Sequence, residues 1–352
     1  EDTAAILYTS GTTGRPKGAL LTHLGIVHSA LHYAYAMRLT GADRSIAAVP
    51  LSHVTGVIAL MATMLRCAGT LVLLREFKAG PFLQLAARER MTHTVLVPAM
   101  VNLCVLAPEF GRLDLSAWRI GGYGGAPMPP ATIERCAQTL PQLELMNLYG
   151  ATETTSPATM MPARYTASHA DSVGLAVACG DIAVIDDAGR EIAPGEAGEL
   201  WIAGPMVVKG YWNDPEATAR EFTAGYWHSG DIGSIDADGF VRVFDRKKDL
   251  INRGGYKVYT AEVESELIAH PAVVEAAVVA KPCPVLGERV HAFVCLRAEV
   301  STEVLRAHCA AQLADYKVPE SFTLGLEPLP RNANGKLLKR TLRELAQAVA
   351  TV

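Results

Sequence analysis

None of the seven cysteines, Cys67, Cys104, Cys136, Cys179, Cys283, Cys295 and Cys309, belongs to a C-x-x-C pair, and their number is odd. Neither a zinc site nor a disulfide framework is suggested, so reduced thiols in a cytoplasmic protein are the simpler expectation. Long apolar runs are also lacking. The longest, around Val54 to Leu65, stops at Arg66 and is too short to cross a bilayer. The opening Glu1-Asp2 does not read as a secretory signal, and no transmembrane segment is expected. Excess positive charge is missing too. The formal net charge is -4, and short basic runs such as Arg246-Lys247-Lys248 give no reason to expect nucleic acid as a partner. Repeats and low-complexity segments do not occur. What is present is a chain of 352 residues, 50% apolar and 19% charged, long enough for two or more domains with substantial cores.

Ala4 to Tyr8 is a short apolar run ending at a glycine loop, the pattern of a buried strand. Leu24 to Met37 carries helical spacing, while "LVLL" from Leu71 and "TVLVP" from Thr94 read as strands. Strand and helix alternate through about Tyr149, which predicts a layered α/β region with parallel strands over about 1–165. From about Val173 to Phe244, short strands are separated by "DDAG" (Asp186 to Gly189) and "DADG" (Asp236 to Gly239). Those turn signals predict a small antiparallel β-subdomain, about 166–245. Inside it Asp214 is a candidate N-cap, with Pro215 at the first helical position. After "FDRKKD" (Phe244 to Asp249) a self-contained α+β set begins. Its helices are expected at Ala261–Ala269, Thr302–Leu313 and Leu337–Val349, and its strands at Val273–Ala280 and Val290–Leu296. Two domains are predicted, 1–247 and 248–352.

"YTSGTTGRPKG", Tyr8 to Gly18, has the composition of a phosphate-holding loop. Its glycines let the backbone approach an anion, Ser10, Thr12 and Thr13 offer hydroxyls, and Lys17 adds positive charge. It is not the G-x-x-x-x-G-K-[ST] loop, because the sixth position from Gly11 is Pro16 and Lys17 is followed by Gly18. A dinucleotide fingerprint also fails at "GGYGGAP", where Pro127 stands in place of the third glycine. On composition alone such a loop is as often a surface turn as a binding site.

The string "YTSGTTGRPKG" resembles the phosphate loop of the adenylate-forming superfamily of acyl-CoA synthetases, adenylation domains and luciferases, and further family motifs follow in order across the whole chain. The resemblance implies a large α/β domain with a β-subdomain and a mobile α+β C-terminal domain, acting with ATP, Mg²⁺ and coenzyme A on a small carboxylic acid. It implies that Thr9, Ser10, Gly11, Thr12, Thr13 and Lys17 hold phosphate. "LYGATET" matches the adenine and magnesium motif, so that Tyr149 stacks on adenine, Thr152 contacts the α-phosphate and Glu153 holds Mg²⁺; Asn147 and Gly150 line the same nucleotide site. A carboxylate is the hard ligand that Mg²⁺ prefers beside phosphate oxygens. "GGYGGAPMP" places Gly125 and Ala126 beside the nucleotide and Gly122 and Gly124 beside the acyl group, together with Gly150 and with His53 of "PLSHVTG". Asp231 of "HSGDIG" and Arg246 match the ribose contacts, although Ser229 stands where a threonine is usual. Lys248 matches the hinge, Gly254 and Gly255 the loop that approaches CoA, and Lys336 of "NANGK" the adenylation lysine.

The implied reaction joins a carboxylate to AMP and then passes the acyl group to CoA, with Lys336, Thr152 and His53 as candidate catalytic residues. Acetate-specific relatives close the acyl pocket with a Trp at the position of Gly150, so a deeper pocket is expected here. No Arg or Lys stands in "GGYGG" or "LYGAT" to pair a second carboxylate. A medium- or long-chain fatty acid is therefore the first expectation, and an aryl acid of benzoate or cinnamate type the second. An amino-acid adenylation domain fits less well, since no amine-binding Asp is recognisable. Relatives carry a large N-terminal portion before the phosphate loop, whereas seven residues precede Tyr8 here. A missing N-terminal segment is the expectation, and a non-catalytic nucleotide or acyl binder is the alternative of a different class.

Overall fold

The computed structural model of the chain describes residues 1–9, 16–331 and 337–348. Two compact units are present, one of Glu1–Ser229 with Gly233–Val243, the other of Gly230–Ile232 with the chain from Phe244 onward.

The first unit opens with an antiparallel hairpin of β1 (Thr3–Thr9) and β2 (Lys17–Thr22), in which Thr9 lies opposite Lys17. The expectation of a buried strand at Ala4 to Tyr8 needs correction. Among the described residues β1 pairs with β2 alone, and a two-stranded ribbon buries one face, so Ala5, Leu7 and Thr9 are half-buried and the residues between them exposed. It is β2 that is buried, through Ala19 and Leu21. Thr22 then caps α1 (His23–Ala36), its hydroxyl accepting from Gly25 N at 3.0 Å.

The next elements are β3 (Arg44–Ala47), a π-helical segment (Thr55–Ala62) that takes up the apolar run and continues as α2 (Thr63–Cys67), β4 (Thr70–Leu73) and α3 (Ala79–Glu89). They are followed by β5 (His93–Leu96), α4 (Pro98–Leu106), β6 (Ile120–Gly124), α5 (Pro130–Thr139), β7 (Glu144–Tyr149), β8 (Thr159–Met160) and β9 (Leu175–Ala176). These strands form one sheet in the order β4-β3-β5-β6-β7-β8-β9. Strands β3 to β7 are parallel and the last two antiparallel, as the strand–helix alternation predicts. Gly124 pairs with Leu148, so the carboxyl ends of β6 and β7, and the loops after them, come to one edge of the sheet. Ligands of α/β sheets bind at such an edge.

A second sheet follows, from β10 (Asp181–Ile185), β11 (Gly198–Ala203), β12 (Phe222–Thr223), β13 (Tyr226–Ile235) and β14 (Val241–Arg246), in the order β10-β11-β13-β12 with β14 beside β13. The predicted turns are there. Asp186 Oδ1 accepts from the backbone of Ala188 and Arg190, and Asp236 Oδ1 from Asp238 and Phe240. Helix α6 (Pro215–Glu221) starts as expected, with Asp214 accepting from Ala217 N at 2.9 Å.

The second unit contains β15 (Ile251–Arg253), β16 (Tyr256–Val258), α7 (Thr260–Ala269), β17 (Val273–Cys283), β18 (Gly287–Leu296), α8 (Thr302–Ala310), β19 (Ser321–Gly325) and α9 (Lys339–Ala348). Its sheet runs β16-β15-β18-β17, with β19 parallel to β18, over a core that includes Val263, Leu267, Val278, Val294 and Leu305. All seven cysteines are free thiols. Among the described residues no helix is long and apolar enough to cross a membrane.

Candidate active site

Three backbone segments meet where the sequence places the phosphate loop. Strand β2 is bridged to residues 210–212: Leu20 N donates to Gly210 O at 3.1 Å and Trp212 N to Gly18 O at 2.7 Å. The same stretch is tied to the loop after β7, since Val208 N donates to Glu153 O at 2.8 Å and Thr155 Oγ1 to Met206 O at 2.6 Å. Tyr211 thereby stands between Lys17 and Glu153. Its backbone is anchored to α6, through Tyr211 N donating to Thr218 Oγ1 at 2.9 Å. Ala19, Leu21, Val54, Ile58, Val208 and Ala217 pack with Tyr211 in a buried apolar cluster.

The result is a cluster of four side chains, Lys17, Glu153 and Tyr211 buried and Glu221 half-buried. Lys17 forms an ion pair with Glu221 Oε2, and its Nζ lies 4.2 Å from the centre of the Tyr211 ring. The Tyr211 hydroxyl stands 3.0 Å from Glu153 Oε1 and 2.8 Å from Glu221 Oε2. A phenol has one proton to give, so it serves one of these carboxylates at a time. Glu221 ends α6, where the helix dipole disfavours negative charge, and Lys17 offsets that. Burial would raise the Glu221 carboxyl, but the hydrogen bonds from Lys17 and Tyr211 outweigh it and hold the group below its ordinary range. Among the described residues Glu153 has no cation in contact. Burial pushes its carboxyl up, only partly opposed by its own amide, Tyr211 and the more distant Lys17. Tyr211 is itself pushed up by burial and by Glu153.

The loop that carries Glu153 is bent. Thr155 and Ser156 have positive φ, 49° and 95°, conformations unusual for residues with a Cβ. Hydroxyls hold them there: besides the Thr155 bond, Tyr33 and Ser156 oxygens are 2.7 Å apart, and Thr154 Oγ1 donates to Ser156 O at 3.0 Å. Gly150 belongs to this bend, for a Cβ on it would stand 1.5 Å from Ser156 O. The depth expected of an acyl pocket from a missing side chain at Gly150 is therefore withdrawn, because the loop itself demands glycine there. Gly122 is corrected likewise. A Cβ on it would meet Leu148, Met37 and Val95 at 2.8 to 3.0 Å, so the apolar core, not a ligand, fills that space. A Cβ on Gly124 would stand 2.1 Å from Leu148 O, which makes it a strand-packing glycine as well.

The other expected residues fall into separate groups. Thr9 ends β1, and its hydroxyl is buried with no partner among the described residues. Ser10, Gly11, Thr12 and Thr13 lie outside the described residues, as does Lys336. Gly125 and Ala126 are exposed after β6, and Thr152 and Tyr149 are half-buried. Asn147 is buried, with Nδ2 donating to Ser172 O at 3.0 Å. His53 is exposed ahead of the π-helical segment, and its Nδ1 accepts from Thr55 N at 3.2 Å.

In the second unit Asp231 and Arg246 are brought together, with Arg246 Nε 2.9 Å from the buried Asp231 Oδ1. Lys248 sits in a turn in which Leu250 N bonds to Arg246 O; burial pushes its ammonium below the ordinary range, against the pull of Asp249. Its carbonyl accepts from Arg343 Nη1 at 3.2 Å. Gly254 and Gly255 form the turn between β15 and β16, both with positive φ, 58° and 94°.

Sequence reading missed Tyr211 and Glu221. Neither belongs to a motif that signals phosphate chemistry, and Glu221 lies 204 residues from Lys17.

The chain matches the family model described as AMP-binding enzyme over residues 1–212 and that of the AMP-binding enzyme C-terminal domain over 262–336. It is similar to a feruloyl-CoA synthase of Amycolatopsis sp, 35% identical over 97% of this chain and 70% of that protein. It is also similar to the long-chain-fatty-acid–CoA ligase FadD13 of Mycobacterium tuberculosis, 37% identical over 100% of this chain and 69% of that one. Among solved structures, o-succinylbenzoate coenzyme A synthetase (MenE) of Bacillus subtilis, in complex with ATP and magnesium ion, superposes with a TM-score of 0.90 at 35% identity, covering 97% of this chain and 70% of that one. With both halves of the family pattern matched along its length, the chain belongs to the adenylate-forming AMP-binding enzymes, among their acyl-CoA ligases.

Proposed function

We propose that this chain activates a carboxylic acid with ATP and transfers the acyl group to coenzyme A. A carboxylate oxygen attacks the α-phosphorus as the bond to pyrophosphate breaks; the CoA sulfur then attacks the carbonyl carbon as the bond to AMP breaks. Such transfers need alignment and charge neutralisation more than covalent help from the protein. The observation that carries the reading is the Glu153 cluster: a buried carboxylate with no cation in contact among the described residues, beside the stem of the phosphate loop. Its environment fits Mg²⁺, which takes one or two carboxylates and completes its shell with phosphate and water. When bound, Mg²⁺ would supply charge neutralisation at the phosphates.

Within that reading Tyr149 supports adenine, Thr9 and Thr152 offer hydroxyls to phosphate, and Asp231 with Arg246 takes the ribose. Lys336 serves adenylate formation, Lys248 the hinge, and Gly254 and Gly255 CoA. For the acid we favour a medium- or long-chain fatty acid. The segments after β6 and β7 carry no cation for a second carboxylate, and FadD13 is named for such substrates. The test is acid-dependent ATP–pyrophosphate exchange with acetate, octanoate, palmitate, ferulate and 2-succinylbenzoate. Octanoate or palmitate should exceed the aryl acids at least tenfold. Preference for ferulate would replace the substrate, and exchange with no acid would replace the enzyme by a binder.

A further inference from the structure

We propose that Tyr211 is the positioning residue of the metal-binding carboxylate Glu153, and that the Lys17–Glu221 ion pair holds Tyr211 in place for this. The inference rests on the functional reading above and adds to it a residue that carries no chemistry of its own.

The geometry argues it in three steps. First, Glu153 has few donors. Its side chain accepts from its own amide and from the Tyr211 hydroxyl, the latter at 3.0 Å, in a site where only 7% of the residue is exposed. A carboxylate free to turn about its last torsion would present its oxygens in many directions; the hydroxyl on Oε1 fixes that torsion and leaves Oε2 for a cation. Second, the Tyr211 ring cannot shift. Lys17 covers one face, Phe222 packs edge-on with ring centres 5.7 Å apart, and the backbone is held by its neighbours Gly210 and Trp212 bonding to β2 and by its own amide bonding to Thr218 of α6. Third, Glu221 competes with Glu153 for the single phenolic proton. Lys17 on Glu221 Oε2 and Arg220 on Oε1, the latter at 3.2 Å, supply that competitor with other donors, which frees the hydroxyl for Glu153. The cation of the loop stem thus acts on the metal ligand through two intermediates, without touching it.

The experiment measures binding rather than turnover. Mn²⁺ is titrated, by electron paramagnetic resonance, into the full chain saturated with a non-hydrolysable ATP analogue. Tyr211→Phe keeps the ring and the cation above it and removes only the hydroxyl. The Mn²⁺ dissociation constant should rise about tenfold or more, the cost typical of losing a hydrogen bond behind a metal ligand, while metal-free nucleotide affinity stays within twofold. Adding Tyr211→Phe to Glu153→Gln should weaken Mn²⁺ no further than Glu153→Gln alone. Glu221→Gln, which keeps the phenol but breaks the ion pair that holds it, should weaken Mn²⁺ binding by more than about twofold and serves as the second variant should Tyr211→Phe not fold. Unchanged affinity in Tyr211→Phe, losses that multiply in the double variant, or unchanged affinity in Glu221→Gln would each overturn the proposal. Wild-type chain that binds neither nucleotide nor Mn²⁺ would instead defeat the functional reading beneath it.

Discussion

The two units each gather a lysine, a hydroxyl and two carboxylates in a buried or half-buried cluster, yet they balance them differently. In the second unit Lys339 Nζ bonds to Glu264 Oε1 and to Thr260 Oγ1, both at 2.7 Å, and Thr260 donates its hydroxyl and its amide to Asp245 Oδ2. Backbone groups complete that cluster: Val278 N donates to Glu264 at 2.7 Å and Arg246 N to Asp245 Oδ1 at 2.7 Å. In the first unit the lysine sits on Glu221, while Glu153 is left with its own amide and a contested phenol. One arrangement is saturated and supports the fold. In the other the positive charge sits on Glu221, and among the described residues none touches Glu153, which suits a site that receives a cation and phosphates together.

Removing one partner from the saturated cluster should have the largest effect on stability. Lys339→Met leaves Glu264 buried and unpaired, and should cost about 3–5 kcal/mol in denaturant unfolding. A loss below 1 kcal/mol would mean that this cluster is no better balanced than the first.

Acid sharpens the comparison from another side, because each unit buries a histidine that resists protonation. His93, on β5, is fully buried, and neither ring nitrogen has a hydrogen-bond partner among the described residues. His291, on β18, lies within 2.7 Å of Ser321 Oγ and 3.0 Å of Thr323 Oγ1. Burial pushes both down to about 4. The unfolded chain takes up these protons near pH 6.5 and the folded chain does not, so stability is full above about 6.5 and falls as pH drops toward 4. Each histidine should account for about 2 kcal/mol of loss between pH 7.5 and pH 5, at 1.36 kcal/mol per pH unit. His93→Leu should remove that much of the pH dependence in urea unfolding; an unchanged dependence would show that His93 titrates normally.

The smallest expected change in stability is at Glu153. Replacing an ionisable group that touches no cation among the described residues by a neutral one of similar shape should shift unfolding by less than about 1 kcal/mol. The same Glu153→Gln should lower pyrophosphate exchange by about a hundredfold or more, in line with the loss of a donor or charge aimed at the reacting phosphates. Parallel losses of stability and activity would make Glu153 a structural residue and erase the contrast between the clusters.

Much of this organisation was legible in the residues. Regular alternation exposed the parallel strands, Asp–Gly turns exposed the hairpins at Gly189 and Gly239, and Asp214-Pro215 exposed the start of α6. These are local signals, in which the residues that matter are neighbours. Gly122 and Gly150 misled, because a glycine reads the same whether a ligand, an apolar side chain or a carbonyl oxygen occupies the space beside it. Asp231 and Arg246 were separated by fifteen positions yet recognisable from their motifs, and adjacent strands bring them together. Tyr211 was not legible: its meaning lies in contacts with β2 and with the loop after β7, neither of which follows from periodicity.

The bridge between β2 and residues 210–212 also has a consequence for the order of folding. The hairpin stem at Thr9 and Lys17 closes over a few residues, but the pairing of Lys17 with Glu221 spans 204 positions. Long closures cost entropy that local contacts do not, and they form once most of the surrounding structure is in place. During synthesis Glu153 would leave the ribosome and begin to be buried well before the helix that bears Glu221 exists. The grip on Glu153 is thus among the last features of its unit to form, so destabilisation anywhere between Gly18 and Glu221 should be felt there first.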